Sequence, residues 1–250
     1  MRQETREIIF NLSIFNKIDK SILEDICSYS SKKYIDKNNL IYTKDEPSKH
    51  LYVLVEGKIK VFHDTCDGKE IILDIINPQG FLGEECIFTN DSYSSNAETI
   101  ENSIIISIPI SKLKKVINDN HQFTLNLLSY SNNKLHLREL ELEHCALQNT
   151  TQKIGCFFLQ MVADEYDDGS AELTLPYEKN VISSKLGMKS ETFSRSFRKL
   201  CEHTGLEVNG KNIRIPSIER LNNYVCETCS GTYPCKNRTN SDQSSSFSGE

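Results

Sequence analysis

Between residues 8 and 29 the apolar positions fall three and four apart: Leu12, Phe15, Ile18, Ile22, Leu23 and Ile26, with Ile22 and Leu23 adjacent. That period predicts one amphipathic helix. From Lys32 to Pro109 the pattern changes to short apolar runs. Leu51 to Phe62 reads as two strands turning near Glu56-Gly57. A tight turn at Asp67-Gly68 precedes a strand over 70–76, and Asn77-Pro78-Gln79-Gly80 is a further turn. Ser103 to Pro109 is a last strand, stopped by proline. Many short strands with regular turns predict a closed antiparallel roll. Residues 111–147 contain neither Gly nor Pro and predict a long helix. Leu128, Leu135 and Leu142 recur every seven residues there, with Thr124, Ser131, Arg138 and Cys145 on the alternate track. This is half of a heptad seam. A core helix lying on the roll would carry the same pattern.

Gln148 to Thr151 reads as a hinge, and 151–165 as a further helix. The stretch from Leu175 to Leu200 then predicts a helix, a tight turn and a second helix. Ile182 and Leu186 make one apolar face, and Phe193, Phe197 and Leu200 the next. Gly187 between them suits the left-handed backbone that ends one helix and starts another. A solvated helix pair would also show charged outer faces. The residues after Leu200 argue for more: Leu206 to Val208, then Asn209-Gly210, then Asn212 to Ile215 predict a hairpin closed by an Asn-Gly turn. Helix, turn, helix and hairpin make a winged helix-turn-helix. Residues 218–225 read as a short last helix.

With the phenylalanines inward, Glu191, Ser194, Arg195 and Arg198 are left for the outer face of the second helix. An arginine forks onto guanine O6 and N7, and a glutamate accepts from cytosine N4. Glu191 and Arg195 stand at i and i+4, a spacing at which each holds the other in position. Lys189 and Thr192 complete the candidate DNA-contacting set. The net charge is −6, yet Lys179 to Arg214 carries eight Lys/Arg against three Asp/Glu, and Asp164 to Glu178 just upstream carries six acids and no base. Phosphate binding needs that local bias rather than a basic protein.

Glu191-Thr-Phe-Ser194-Arg195 after Leu186-Gly187 resembles the Glu-x-x-Ser-Arg recognition motif of the Fnr branch of the Crp/Fnr transcription regulators, and the likeness runs from about Ile14 to Arg220. It implies an α+β chain with an N-terminal antiparallel β-roll like the cyclic-nucleotide-binding jelly roll, a long dimerisation helix and a C-terminal winged helix-turn-helix. The corresponding boundaries are 1–110, 111–148, 149–225 and a cysteine tail over 226–250. It also implies a homodimer on double-stranded DNA with TTGAT-like half-sites about one helical turn apart, roughly 34 Å, in which Arg195 reads the G·C pair beside Glu191 and Ser194. RNA polymerase is the implied protein partner. In cyclic-nucleotide binders of this kind a Gly-Glu pair is followed about ten residues later by Arg-Ser, the arginine neutralising the phosphate. Here Gly83-Glu84 is present, but the later segment is Ser92-Tyr-Ser-Ser-Asn-Ala-Glu98, and neither Lys nor Arg occurs between Lys69 and Lys112. A buried phosphate would lack a cationic partner, so no tight cAMP or cGMP binding is expected. The stretch from Tyr93 to Glu98 also resembles the haem-based nitric-oxide-sensing branch, for which His50 or His63 would be the axial ligand.

Composition narrows the rest. The 250 residues, 38% hydrophobic, are enough for two packed domains. No run of eighteen apolar residues exists, and MRQETREIIFNLSIF has no apolar signal core, so a cytoplasmic protein without membrane contact is expected. The His, Cys and carboxylate residues form no recognisable catalytic constellation, so the chain does not read as an enzyme. A plain small-ligand module is the reading outside the regulator class. Nine cysteines, an odd number, argue for metal or redox chemistry rather than a disulfide framework. Cys156 and Cys201 sit among apolar helical positions as core thiols. Cys226, Cys229 and Cys235 have the spacing C-x2-C-x5-C. Such spacing suits a [4Fe–4S] cluster with a fourth ligand from elsewhere, zinc, or a thiol switch. Fnr-type oxygen sensors hold a [4Fe–4S] cluster, mostly through N-terminal cysteines of this spacing, and one branch carries them at the C-terminus. No cysteine precedes Cys27, so the chain resembles the C-terminal branch. The resemblance allows a carboxylate near the end of the dimer helix as the fourth ligand. Glu141, Glu143 and Cys145 are the candidates, with His144 behind them, and Cys145 is the softest donor. The Ser/Asn-rich stretch 236–250 is expected to be disordered.

Overall fold

A computed structural model describes residues 2–66, 68, 70–88, 92–162 and 165–226, with side chains from Thr5 onward. The chain divides into two compact units, Met1–Lys134 and Leu135–Glu250.

The first unit opens with α1 (Arg2–Phe10), a 3-10 turn (Ser13–Phe15) and α2 (Lys20–Tyr29). The periodic stretch over 8–29 is therefore interrupted and not one helix. Its polar residues decide this: Lys17 takes a left-handed φ of 60° and Asp19 an extended backbone ahead of α2. Eight strands come next: β1 (Ser31–Ile35), β2 (Leu40–Tyr42), β3 (His50–Glu56), β4 (Ile59–Asp64), β5 (Glu70–Ile76), β6 (Phe81–Leu82), β7 (Asn96–Thr99) and β8 (Ser103–Pro109). They pair antiparallel in two sheets of order β1-β8-β3-β6 and β2-β7-β4-β5. β3 and β4 turn at Glu56-Gly57 as expected, but they join different sheets. Gly57 has φ 91°, and a Cβ there would lie 2.5 Å from the Asn102 carbonyl. The crossing between sheets thus needs glycine. Of the expected Asp67-Gly68 turn, Gly68 is left-handed at φ 74°, while Asp67 lies outside the described residues. Val53, Leu54 and Ile106 of one sheet and Ile59 and Ala97 of the other are fully buried in one core, which Ile14, Phe15 and Phe123 extend.

The expected helix over 111–147 is two helices, α3 (Ile110–Asp119) and α4 (His121–Leu147). Asn120 separates them with an extended backbone (φ −133°, ψ 102°), and its side chain accepts from Phe123 N at 2.8 Å. An asparagine offering its own acceptor to a free amide starts a new helix without Gly or Pro.

The second unit holds the end of α4, then α5 (Thr150–Met161), β9 (Ala171–Thr174), α6 (Lys179–Lys185), α7 (Ser190–Thr204), β10 (Glu207–Asn209), β11 (Asn212–Ile215) and α8 (Ile218–Val225). Asn149 and Gln152 form a capping box at the start of α5, which pins where α4 gives way to α5. α5 ends at Met161, short of the 165 that periodicity suggested. The Asn-Gly hairpin forms as β10 and β11, and β9 adds a third strand beside β11. Among the described residues no helix is long and apolar enough to cross a membrane.

Candidate nucleic-acid interface and cysteine site

α6 ends at Lys185, and Gly187 turns the chain with φ 66°. Met188 N donates to Ser183 O at 2.9 Å, which folds the turn back onto α6. α7 then buries Phe193, Phe197 and Leu200. Phe197 meets Phe158 of α5 edge to face at 5.3 Å. Each such phenyl contributes roughly 1.5–3 kcal/mol by leaving water, so the rotation of α7 about its axis is fixed from below. A link that periodicity does not reveal reinforces it: Ser196 Oγ and Thr150 Oγ1 are 2.8 Å apart, tying α7 to the first turn of α5.

The fixed rotation leaves Lys189, Glu191, Ser194, Arg195 and Arg198 exposed and Thr192 half-buried. The residues singled out from sequence therefore lie together on the outer surface of α7. Ser194 donates to Ser190 O at 2.9 Å. The expected pairing of Glu191 with Arg195 does not form: no hydrogen bond or ion pair joins them. An exposed i, i+4 pair gains only about 0.2–0.5 kcal/mol, which the ordering of two long side chains offsets. Both groups are thus free to meet a partner.

The end of α4 is bound into this unit. Glu141 Oε2 accepts from Arg138 at 2.6 Å and Oε1 from Lys185 of α6 at 3.0 Å. Partial burial pushes the Glu141 carboxyl up, but the two cations outweigh it and hold it below the usual carboxylate range. Glu141 is thus committed to nitrogen donors. Glu143 is half-buried and Cys145 exposed. His144 Nδ1 lies 3.8 Å from Sγ of Cys156, a buried thiol on α5 that also accepts from Gln160 Nε2 at 3.6 Å. Cys226 caps the C-terminus of α8, half-buried against the core of the unit. Cys229 and Cys235, and the stretch expected to be disordered, lie outside the described residues. Among the described residues no three His, Cys, Asp or Glu side chains gather as a metal site.

In the roll, Gly83 takes φ 76° and Glu84 opens a 3-10 turn, Glu84–Ile87. The Glu84 carboxylate pairs with Lys134 of α4. Tyr93, 2% exposed, stacks on Tyr42 at 3.8 Å and donates its hydroxyl to the His50 carbonyl at 2.9 Å. His50 has its imidazole pKa lowered by partial burial and by Lys33 and Lys49. His63 Nε2 is 2.9 Å from the Ser94 carbonyl.

These two sites coincide with two family models. Residues 32–120 match the cyclic nucleotide-binding domain and residues 152–224 the Crp-like helix-turn-helix domain. The chain belongs to the Crp/Fnr family of regulators. The CRP-like cAMP-activated global transcriptional regulator of Mycobacterium tuberculosis is 22% identical over 217 residues, 86% of this chain and 97% of that one. The transcriptional activator protein FnrA of Stutzerimonas stutzeri is 22% identical over 202 residues, 80% and 82% of the two chains. The structure of FixK2 from Bradyrhizobium japonicum superposes with a TM-score of 0.68 at 22% identity, covering 81% and 98%, which shows a shared fold. This Crp/Fnr chain is accordingly a DNA-binding transcription regulator, and these relatives are regulators rather than enzymes.

Proposed function

We propose that this regulator senses oxygen or redox state through a [4Fe–4S] cluster on Cys226, Cys229 and Cys235 and binds near-palindromic TTGAT-like sites as a homodimer. The observation that carries the DNA half is the outer face of α7, where Glu191, Ser194 and Arg195 stand exposed while Phe193 and Phe197 lock the helix beneath them. A forked arginine beside an acidic acceptor suits a G·C pair. Lys189, Thr192 and Arg198 flank the reading residues, with RNA polymerase as the protein partner and the cytoplasm as the compartment. The homodimer is supported by α4, where Leu128, Leu135 and Leu142 are 54%, 59% and 69% exposed. Three leucines at heptad spacing facing water suit a second copy of the helix.

The donor chemistry fits the cluster. Cys226 is held at the end of α8, and two further thiolates come after it at C-x2-C-x5-C. A thiolate set suits iron–sulfur, and also zinc. Cys145 is the proposed fourth donor, since Glu141 already satisfies Arg138 and Lys185. When bound, such a cluster supplies an oxygen-labile link among these cysteines. Cys226, Cys229, Cys235 and Cys145 would hold the group, and its removal would leave these thiols unlinked. A tenfold change in operator affinity needs only about 1.4 kcal/mol between the two arrangements. The experiment is iron and acid-labile sulfide per chain after anaerobic purification. About four of each, lost in air together with operator affinity, is the expected result. Zinc, or equal operator affinity with and without iron, refutes the sensing mechanism and leaves the DNA reading intact. Cys145→Ser with unchanged iron removes Cys145 from the set.

A further inference from the structure

We propose that the roll carries its own ligand: the ammonium of Lys134 fills a primary-ammonium site on Glu84, so that this part of α4 is held to the roll without an effector molecule. The two residues are fifty positions apart, and their side chains meet as an ion pair with only 12% of Glu84 and 34% of Lys134 exposed. Burial pushes the Glu84 carboxyl up, and Lys134 pulls it back towards its charged form. A second acid, Glu85, acts on Glu84, while Lys114 acts on Cys86 of the same turn. Glu85 accepts from Ser94 Oγ at 3.1 Å, and no base occurs from 70 to 111. The space beside Gly83 is filled, since a Cβ there would lie 2.8 Å from the Tyr93 ring. Such a setting repels an anion and stabilises a cation that donates hydrogen bonds. A buried carboxylate left without its partner is the costly state, so Lys134 is what keeps Glu84 inside.

This inference is independent of the tail, because both side chains belong to the first unit. Lys134→Ala opens a site for the three-carbon amine it removes. The test is the thermal midpoint of full-length cluster-free protein, followed by circular dichroism, in n-propylammonium chloride against tetramethylammonium chloride at equal ionic strength. Lys134→Ala should lower the midpoint by about 4 °C or more. n-Propylammonium should restore most of that loss, and tetramethylammonium, which donates no hydrogen bond, should not. Wild type and Glu84→Gln/Lys134→Ala should respond to the two salts alike. If Lys134→Ala fails to fold, Lys134→Ser, which opens the same space, takes its place in the same assay. An unchanged midpoint, or equal effects of the two salts on the single variant, overturns the proposal.

Discussion

Gly155, in the middle of α5, is packed closely by other elements of the second unit. A Cβ at this position would lie 2.4 Å from Val225 Cγ2, 3.3 Å from Leu221 Cδ1 and 3.4 Å from Leu200 Cδ1. All three neighbours are fully buried. Carbon atoms attract best at about 3.5–4.0 Å, so the first contact is repulsive and the other two leave little slack. A β-branched valine in a helix has one strongly preferred rotamer, so Val225 cannot turn away cheaply and α8 must shift. Gly155→Ala gains about 1 kcal/mol of helix propensity and loses about 1–3 kcal/mol to overpacking. The expected net effect is destabilisation by up to about 2 kcal/mol. Val225→Ala alone loses two buried methyl groups, about 1.6 kcal/mol by transfer. In the double variant the clash is gone, so its loss should fall short of the sum by about 1 kcal/mol or more. Urea unfolding of the four proteins, monitored by circular dichroism, measures this cycle. A Gly155→Ala protein more stable than wild type, or a double variant showing the plain sum, would refute the account. Because Cys226 is bonded directly to Val225, Gly155→Ala should also lower the iron bound per chain, and Val225→Ala should restore it.

The same geometry sets other expectations. Arg195→Ala should cost about 1–3 kcal/mol at one G·C position, measured by competition between operator variants. A uniform loss across sequences would make Arg195 a phosphate contact instead. Glu141→Gln should remove part of the pH dependence of stability in acid. The folded carboxyl is held below its ordinary 4.5, so its contribution is present above that pH and lost as pH falls through the folded value. Since Glu141 is 49% exposed, the difference from wild type should stay under about 1 kcal/mol near neutrality and vanish in strong acid. A difference that grew on acidification would contradict the assignment. Glu84→Gln should destabilise less than Lys134→Met in urea unfolding, because a half-buried lysine reaches water and a buried carboxylate does not.

The outer face of α7 was legible because two rules agree on it. Phe193, Phe197 and Leu200 mark the buried side by their spacing, and Glu191, Ser194 and Arg195 remain by elimination. The Asn-Gly hairpin was legible because its turn chemistry is local. Apolar period alone failed where a polar side chain competes for backbone amides. Asn120 splits a stretch with no Gly or Pro, and no count of hydrophobic positions shows that its side chain would take Phe123 N. Sheet membership was illegible for a different reason: β3 and β4 are neighbours in sequence, but β3 pairs with β8, as at His50 with Pro109, and β4 with β7, as at Phe62 with Asn96, both far along the chain. The pairs Glu84–Lys134 and Glu141–Lys185 are likewise invisible from local pattern, since each joins residues more than forty positions apart.

Those two pairs bear on where a signal enters. An anion-responsive roll needs a cation beside Gly83-Glu84, and this chain supplies acids there and fills the carboxylate with its own lysine. The cysteines proposed for the cluster, Cys145 and Cys226 with the two that follow it, belong to the unit that also carries α7. Within that unit α5 is the common neighbour: its Gly155 receives Val225 and Leu221 of α8, and its Phe158 and Thr150 hold Phe197 and Ser196 of α7. Close-packed side chains do not deform continuously, so a displacement of α8 reaches α7 as a change of packing on α5. The Gly155→Ala and Val225→Ala cycle therefore tests more than stability. If α5 carries the signal, the single Gly155 variant should lose the difference in operator affinity between iron-loaded and iron-free protein while Arg195 still selects its base pair. If that difference survives in the single variant, α5 is a scaffold and the tail acts on DNA binding by another route.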